Sequence, residues 1–121
     1  MAKILIVDDD LETIKLLENV IRSGGHTPYS VSESRNAIKA VESILPDVVL
    51  LDIMMAEING IAICKLIKSD PAISHIPVIM VSALNDEGTK KDAFNAGANE
   101  FFTKPIYPNE LNRQINHILA K

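Results

Sequence analysis

The 121-residue chain carries a formal net charge of −4 at pH 7 and is 47% hydrophobic, so it is long enough for one core and too short for two. It has no apolar run of membrane-spanning length, no basic-then-apolar leader and no basic cluster beyond Lys90-Lys91. These features argue against a membrane protein, a secreted protein and a nucleic-acid-binding domain. Cys64 is the only cysteine and cannot form an internal disulfide, which fits a reducing compartment. We therefore expect one cytoplasmic domain over residues 1–121.

Two strands and two helices are predicted in the first half of the chain. The strands lie over Lys3–Val7 and His26–Val31, and the helices over Leu11–Ser23 and about Arg35–Ile44. Pro28 favours a place for the second strand at or near the sheet edge, because proline has no amide hydrogen to donate. Asp10 is the expected N-cap of the first helix, and Ser34 or Ser32 is the candidate N-cap of the second.

The second half contains the most apolar strands. Val48–Leu51 and Val78–Val81 show no polar alternation, which is typical of strands buried on both faces in a parallel sheet. The other predicted elements are helices over Ile61–Lys68, about Thr89–Ala96 and from Pro108 onward, and a short strand over Glu100–Thr103. Five strands alternating with five helices predict an α/β domain with a five-stranded parallel sheet and helices on both faces. The natural strand order is the flavodoxin-like 2-1-3-4-5.

Polar residues stand just beyond four of these strands. They are Asp8 and Asp9 after the first strand, Asp52 after the third, Ser82 after the fourth and Lys104 after the fifth. The carboxyl ends of parallel strands share one edge of the sheet, so we expect these side chains to meet in one crevice. Carboxylates brought together repel one another, so they either hold a proton or bind a cation, and an all-oxygen set suits Mg²⁺. A carboxylate can also attack phosphorus, which indicates reversible phosphorylation of Asp52.

The same features make the chain resemble a known family. From Lys3 to the last helix, it resembles the receiver domain of bacterial two-component response regulators, the CheY-like domain. The matching features are the acid pair after the first strand, Asp52 at the head of Asp-Ile-Met-Met-Ala-Glu-Ile-Asn-Gly, Ser82-Ala83 and Lys104-Pro105. Each of these motifs is weak alone, but all four in this order and at these spacings are specific.

The resemblance implies a role for each residue of the crevice. Asp52 would be the phosphoacceptor, and Mg²⁺ would be held by Asp8, Asp9, Asp52 and the backbone carbonyl of Met54. In the same way, two further side chains, those of Ser82 and Lys104, would bind the phosphoryl oxygens.

Three further expectations follow from the resemblance. Phe101 matches the aromatic switch residue, which turns inward as the hydroxyl of Ser82 shifts toward the phosphoryl group. The Lys104–Pro105 peptide bond would be cis. The family usually has proline where this chain has Ala56, and we expect the alanine to loosen that loop modestly without loss of activity.

The leading hypothesis is a signalling module rather than a conventional enzyme. Such a module catalyses only its own phosphotransfer and dephosphorylation. A histidine kinase or histidine phosphotransfer protein would phosphorylate Asp52, and the surface of the fourth helix, fifth strand and fifth helix would then bind a downstream effector or a second copy.

One alternative is a Mg²⁺-dependent phosphohydrolase with an Asp nucleophile. It is disfavoured by Met54, which stands where a general acid is needed, and by the lack of a lid insertion. The other alternative is a receiver-like module that works without phosphorylation, but such domains tend to lose an acid or the lysine.

Overall fold

The structure is a computed structural model that describes residues 1–120. The elements in chain order are β1 (Lys3–Val7), α1 (Leu11–Ser23), β2 (Thr27–Val31), a 3₁₀ turn (Ser34–Asn36), α2 (Ala37–Ile44), β3 (Val48–Asp52), α3 (Gly60–Ser69), β4 (Val78–Ser82), α4 (Glu87–Asn95), β5 (Glu100–Thr103) and α5 (Pro108–Leu119). None of these helices within residues 1–120 is long and apolar enough to cross a membrane.

The five strands form one parallel sheet in the order β2-β1-β3-β4-β5, as predicted. β2 lies on one side of β1, and β3, β4 and β5 follow on the other side. The strand order therefore reverses beside β1. Open α/β sheets bind their ligands at such a reversal, outside the carboxyl ends of the strands. The fold therefore marks the ends of β1 and β3 as the place for a site. The edge position of β2 also agrees with the expectation from Pro28.

Successive residues of the central strands point to opposite faces of the sheet, and both faces are covered. One face packs under α2, α3 and α4, through buried residues that include Ala37, Val41, Ile63, Cys64, Ile67 and Ala93. The other face packs under α1 and α5, through Ile14, Leu17, Val20, Ile21, Leu111 and Ile115. All five residues of β3 and all five of β4 are buried. Burial on both faces explains why these strands contain no polar alternation.

Helix caps explain where two of the helices begin. The side chain of Asp10 accepts a hydrogen bond from the Glu12 amide at 3.2 Å, which confirms it as the N-cap of α1. The α4 helix begins at Glu87, two residues before the predicted start. Asp86 accepts hydrogen bonds from both the amide and the hydroxyl of Thr89, at 3.0 and 2.8 Å, and so satisfies the free end of the helix.

The expected cap of the second helix is wrong. Neither Ser34 nor Ser32 caps it, because a 3₁₀ turn that begins at Ser34 precedes α2, and Asn36 stands at the N-cap position of the helix. Ser34 is instead buried, and its hydroxyl donates to the carbonyl of Ala56 at 2.7 Å and accepts from the amide of Ile58 at 3.2 Å. The serine side chain thus bonds to a distant loop rather than to its own helix.

The two phenylalanines of β5 also differ from expectation. Because successive side chains on a strand point in opposite directions, the sequence predicts that one of Phe101 and Phe102 packs in the core and the other lies nearer the surface. Both are half-buried, and they pack against opposite faces of the sheet. β5 is an edge strand, so its helical cover is thinner than that of β3 or β4.

Gly60 allows α3 to start directly against the end of β3. A Cβ atom at this position would overlap the carbonyl oxygen of Asp52, and it would lie 2.8 Å from the carbonyl carbon. The Gly60 amide donates to the carbonyl of Ile53 at 2.8 Å, which closes the loop between the two elements. The glycine therefore fixes the backbone that carries Asp52.

We predict that Gly60→Ala lowers the free energy of unfolding by at least about 2 kcal/mol, because either the backbone at Asp52 or the start of α3 has to move. Urea denaturation at fixed temperature measures the change. Gly88→Ala is the matched control, since its Cβ would meet only the end of the Asp86 side chain, at 3.3 Å, and alanine favours helix. Equal stability of Gly60→Ala and the wild type would contradict the packing described.

Candidate functional site

The carboxyl edge of the sheet brings the three predicted acids together. Asp8 follows β1, and Asp52 is the last residue of β3. Both are buried, with 1% and 5% of their surface exposed, whereas Asp9 is exposed. One carboxylate oxygen from each of these residues lies within 4.8 Å of the other two. The cluster could therefore hold a metal ion, and its all-carboxylate ligands suit a hard cation such as Mg²⁺.

Lys104 supplies the positive charge of the site. Its Nζ donates to Oδ2 of Asp8 at 3.2 Å and lies 3.6 Å from Oδ1 of Asp52. Its backbone amide donates to the Ser82 carbonyl at 2.8 Å, which ties the residue after β5 to the end of β4. Burial disfavours the ammonium charge, but Asp52 and Asp8 outweigh burial and raise the pKa of Lys104. The Lys104–Pro105 peptide bond is cis, as predicted.

Asp52 is the most perturbed carboxyl group of the site. Burial and the neighbouring charge of Asp8 raise its pKa to about 6, and the positive charge of Lys104 offsets only part of this rise. One ammonium group cannot neutralise three nearby carboxylates, so the cluster retains excess negative charge above neutral pH. A divalent cation bound among these oxygens would remove that excess. The electrostatics of the site therefore fit a metal ion.

The structure places the remaining predicted residues around this cluster. Ser82 is fully buried at the end of β4, and its hydroxyl oxygen accepts from the amide of Leu84 at 3.0 Å. Phe101 pairs with Met80 in the sheet, and the ammonium of Lys90 lies 5.9 Å from the centre of its ring. Met54 follows β3 in the loop before α3, with its side chain largely exposed.

An open crevice of about 470 Å³ adjoins the cluster, and Asp9 and Ala56 line it on one side. Met54 and Leu84 contribute to its apolar wall. The crevice therefore leaves Asp9, the exposed acid of the cluster, open to solvent.

Sequence reasoning missed the backbone groups that hold the two acids after β1. The amide of Asp10 donates to Oδ1 of Asp8 at 2.9 Å, and the amide of Ala56 donates to Oδ2 of Asp9 at 3.0 Å. It also missed the contact of Ser34 with the same loop. The only sequence signal was the alanine at position 56, since proline there would have no amide hydrogen to donate.

Comparisons with known proteins agree with this geometry. A family model described as the response regulator receiver domain matches residues 4–116. The response regulator PleD of Caulobacter vibrioides is 35% identical over 105 residues, which are 87% of this chain and 23% of that protein. The alkaline phosphatase synthesis transcriptional regulatory protein PhoP of Bacillus subtilis is 31% identical over 119 residues, which are 98% of this chain and 49% of that protein.

The fold has a close counterpart among solved structures. The signal receiver domain of the DNA-binding response regulator protein merR from Colwellia psychrerythraea superposes with a TM-score of 0.92 at 28% identity, and the match covers 98% of each chain. The protein belongs to the response regulator receiver domain family. The chain spans between about a sixth and a half of the length of the curated relatives it matches.

The raised pKa of Asp52 predicts a stability gain when its charge is removed. The folded pKa of about 6 lies above the ordinary carboxyl value of 3.8, so the folded protein binds the proton more tightly than the unfolded chain. Stability is therefore lost as the pH rises from about 4 through about 6. We expect Asp52→Asn, without divalent cations, to be more stable than the wild type by roughly 1–3 kcal/mol at pH 7.5.

This gain should shrink toward zero as the pH falls below about 4 toward about 3, where the wild-type carboxyl group is protonated in both the folded and the unfolded state. Urea denaturation across that pH range measures the difference. Asp92→Asn, which changes an exposed carboxylate on α4, serves as the control and should show no such pH-dependent gain. An Asp52→Asn variant that is less stable than the wild type at pH 7.5 would contradict the repulsion described.

Proposed function

We propose that residues 1–121 act as one receiver unit, the phosphoacceptor of a two-component phosphorelay in the cytoplasm. The observation that carries this proposal is the environment of Asp52. It is a buried carboxylate at the end of β3, paired with Lys104 and lying beside Asp8 and Asp9. The family membership of the chain supports the same role.

The phosphoryl donor is a phosphohistidine on a histidine kinase or a histidine phosphotransfer protein. A carboxylate oxygen of Asp52 attacks the phosphorus atom, an O–P bond forms and the N–P bond to the histidine breaks. The nitrogen retains the bonding electron pair and takes up a proton, and Asp52 becomes an acyl phosphate. Later attack by water on the phosphorus restores the carboxylate and releases inorganic phosphate.

Lys104 and Ser82 stabilise the transferred group in this proposal. Lys104 already lies within 3.6 Å of Oδ1 of Asp52, so its ammonium can follow the negative charge onto the phosphoryl oxygens. Ser82 is held at the end of β4, one position beyond the residue that pairs with Asp52 in the sheet. Its hydroxyl can therefore donate to a phosphoryl oxygen from the neighbouring strand.

Mg²⁺ is the cofactor in this proposal. Asp8, Asp9, Asp52 and the backbone carbonyl of Met54 would hold it. When bound, the ion supplies positive charge that offsets the repulsion between the carboxylates and the incoming phosphoryl group. The excess negative charge of the cluster supports this assignment, because a single ammonium group balances it only in part.

The output of phosphorylation is a change at the surface of α4, β5 and α5. Ser82 bonds to the Leu84 amide in the loop that leads to α4, so movement of its hydroxyl toward a phosphoryl group breaks that bond. Phe101 lies on β5 beside α4, half-buried under Lys90, and can turn inward when the loop moves. The altered surface then binds a downstream effector or a second copy of the chain.

Incubation with Mg²⁺ and acetyl phosphate should add one phosphoryl group to the wild type, and intact-protein mass spectrometry measures the gain. Asp52→Asn should abolish the gain, because the amide cannot act as the nucleophile. Asp92→Asn should keep it. No gain in the wild type, or a gain that persists in Asp52→Asn, would contradict the proposal. Rapid steady turnover of phosphate esters would instead favour a phosphohydrolase.

Mg²⁺ should raise the melting temperature of the unphosphorylated protein, because it binds the folded acid cluster and not the unfolded chain. At about ten times the dissociation constant, the expected gain is about 5 °C, measured by differential scanning calorimetry. Asp9→Ala should reduce this gain. Sodium chloride at matched ionic strength controls for screening of surface charge. Equal melting with and without saturating Mg²⁺ would count against the metal site.

A further inference from the structure

The loop between β3 and α3, residues 53–59, is hydrogen-bonded on both sides of Ala56. The Ala56 amide donates to Oδ2 of Asp9 at 3.0 Å. The Ala56 carbonyl accepts from the hydroxyl of Ser34 at 2.7 Å, and the same hydroxyl accepts from the amide of Ile58 at 3.2 Å. A single residue of the loop thus connects an acid of the site to a buried serine in the 3₁₀ turn that follows β2.

These bonds hold the loop in a specific conformation. Glu57, the next residue, has a φ of +71°. This value lies in the left-handed region, which residues other than glycine adopt rarely. Such a conformation persists where the surrounding contacts enforce it. The hydroxyl of Ser34 supplies contacts on both sides of Glu57, at residues 56 and 58. Hydrogen bonds from Ser34 and to Asp9 therefore restrain the loop that carries Ala56.

Asp9 depends on this loop for its orientation. It is the exposed member of the acid cluster, whereas Asp8 and Asp52 are buried. An exposed carboxylate samples several side-chain rotamers unless a hydrogen bond selects one. The Ala56 amide engages one oxygen of the carboxylate and leaves the other available to a cation. Hydrogen bonds from outside the ligand set commonly orient metal-binding carboxylates in this way.

We propose that the Ala56 amide is a positioning group for the metal site. It orients the Asp9 carboxylate, and the bond from Ser34 holds the amide in place. Divalent-cation affinity then depends on an N–H group at position 56. This inference rests on the proposed Mg²⁺ site. An alternative explanation is that loop stiffness sets the affinity for the cation. Proline at position 56 would then strengthen binding, and a more flexible residue would weaken it.

Two substitutions at residue 56 separate these explanations. Ala56→Pro removes the amide hydrogen and stiffens the chain, whereas Ala56→Gly keeps the hydrogen and loosens the chain. Titration with MgCl₂, followed by backbone amide chemical shifts in NMR spectra, measures the affinity of each. We expect Ala56→Pro to raise the dissociation constant by about tenfold and Ala56→Gly to change it less than about twofold. Affinity that is unchanged or tighter in Ala56→Pro overturns the proposal.

A double-mutant cycle tests whether Ala56 acts through Asp9. In the Asp9→Ala background the amide has no carboxylate to orient, so adding Ala56→Pro should leave the remaining affinity unchanged. The same loss of affinity in both backgrounds would indicate a general effect on the loop and would overturn the proposal. This readout is insensitive to any stability change that Ala56→Pro causes on its own.

Ser34→Ala provides a second route if Ala56→Pro does not fold. It keeps the Ala56 amide but releases the loop, so we expect a smaller rise in the dissociation constant, of about threefold, that disappears in the Asp9→Ala background. Unchanged affinity in Ser34→Ala would overturn the role given to the serine. A wild type that binds no Mg²⁺ would overturn the metal site itself. Wild-type binding with unaltered affinity in Ala56→Pro would overturn this inference alone.

Discussion

The repulsion between the buried carboxylates of Asp8 and Asp52 is the constraint on which the rest of the site depends. Both groups are almost fully removed from water, and an unpaired buried charge costs several kcal/mol. Lys104 offsets part of this cost through contacts at 3.2 and 3.6 Å. The pKa of Asp52 nevertheless remains raised. The site is therefore destabilised by its own charge, and a cation bound among these oxygens would relieve the repulsion.

The sheet keeps these charges close together. β1 and β3 are neighbours, and both are covered on two faces, so neither acid can move into solvent without disrupting the core. Gly60 adds a local restraint, because α3 starts directly against the carbonyl of Asp52. Packing thus opposes the electrostatic repulsion. The apolar residues of the central strands each contribute roughly 2 kcal/mol of burial, before conformational entropy is counted, toward holding the acids in place.

Ala56 replaces the proline that the family usually has at this position, and the hydrogen bonds of the loop give this alanine a structural role. From the sequence, alanine in place of proline predicts only a looser loop. In the structure, the extra amide hydrogen bonds to Asp9, and Ser34 holds the neighbouring carbonyl. The residues that form these bonds are 47 and 22 positions apart in the chain. Local propensity contains no information about such pairs, so the bonds were not predictable from the sequence.

The sequence by itself determined the sheet and the composition of the site. Apolar runs without alternation identified β3 and β4 as central strands. The polar residues after four of the five strands identified one crowded edge, because parallel strands end on the same side. Local caps such as Asp10 were also predictable, since their partners lie within one helical turn. Tertiary structure alone decided the bonds of Ser34, the partial burial of both Phe101 and Phe102, and the raised pKa of Asp52. Each of these depends on distances and burial that exist only after segments distant in the chain have packed together.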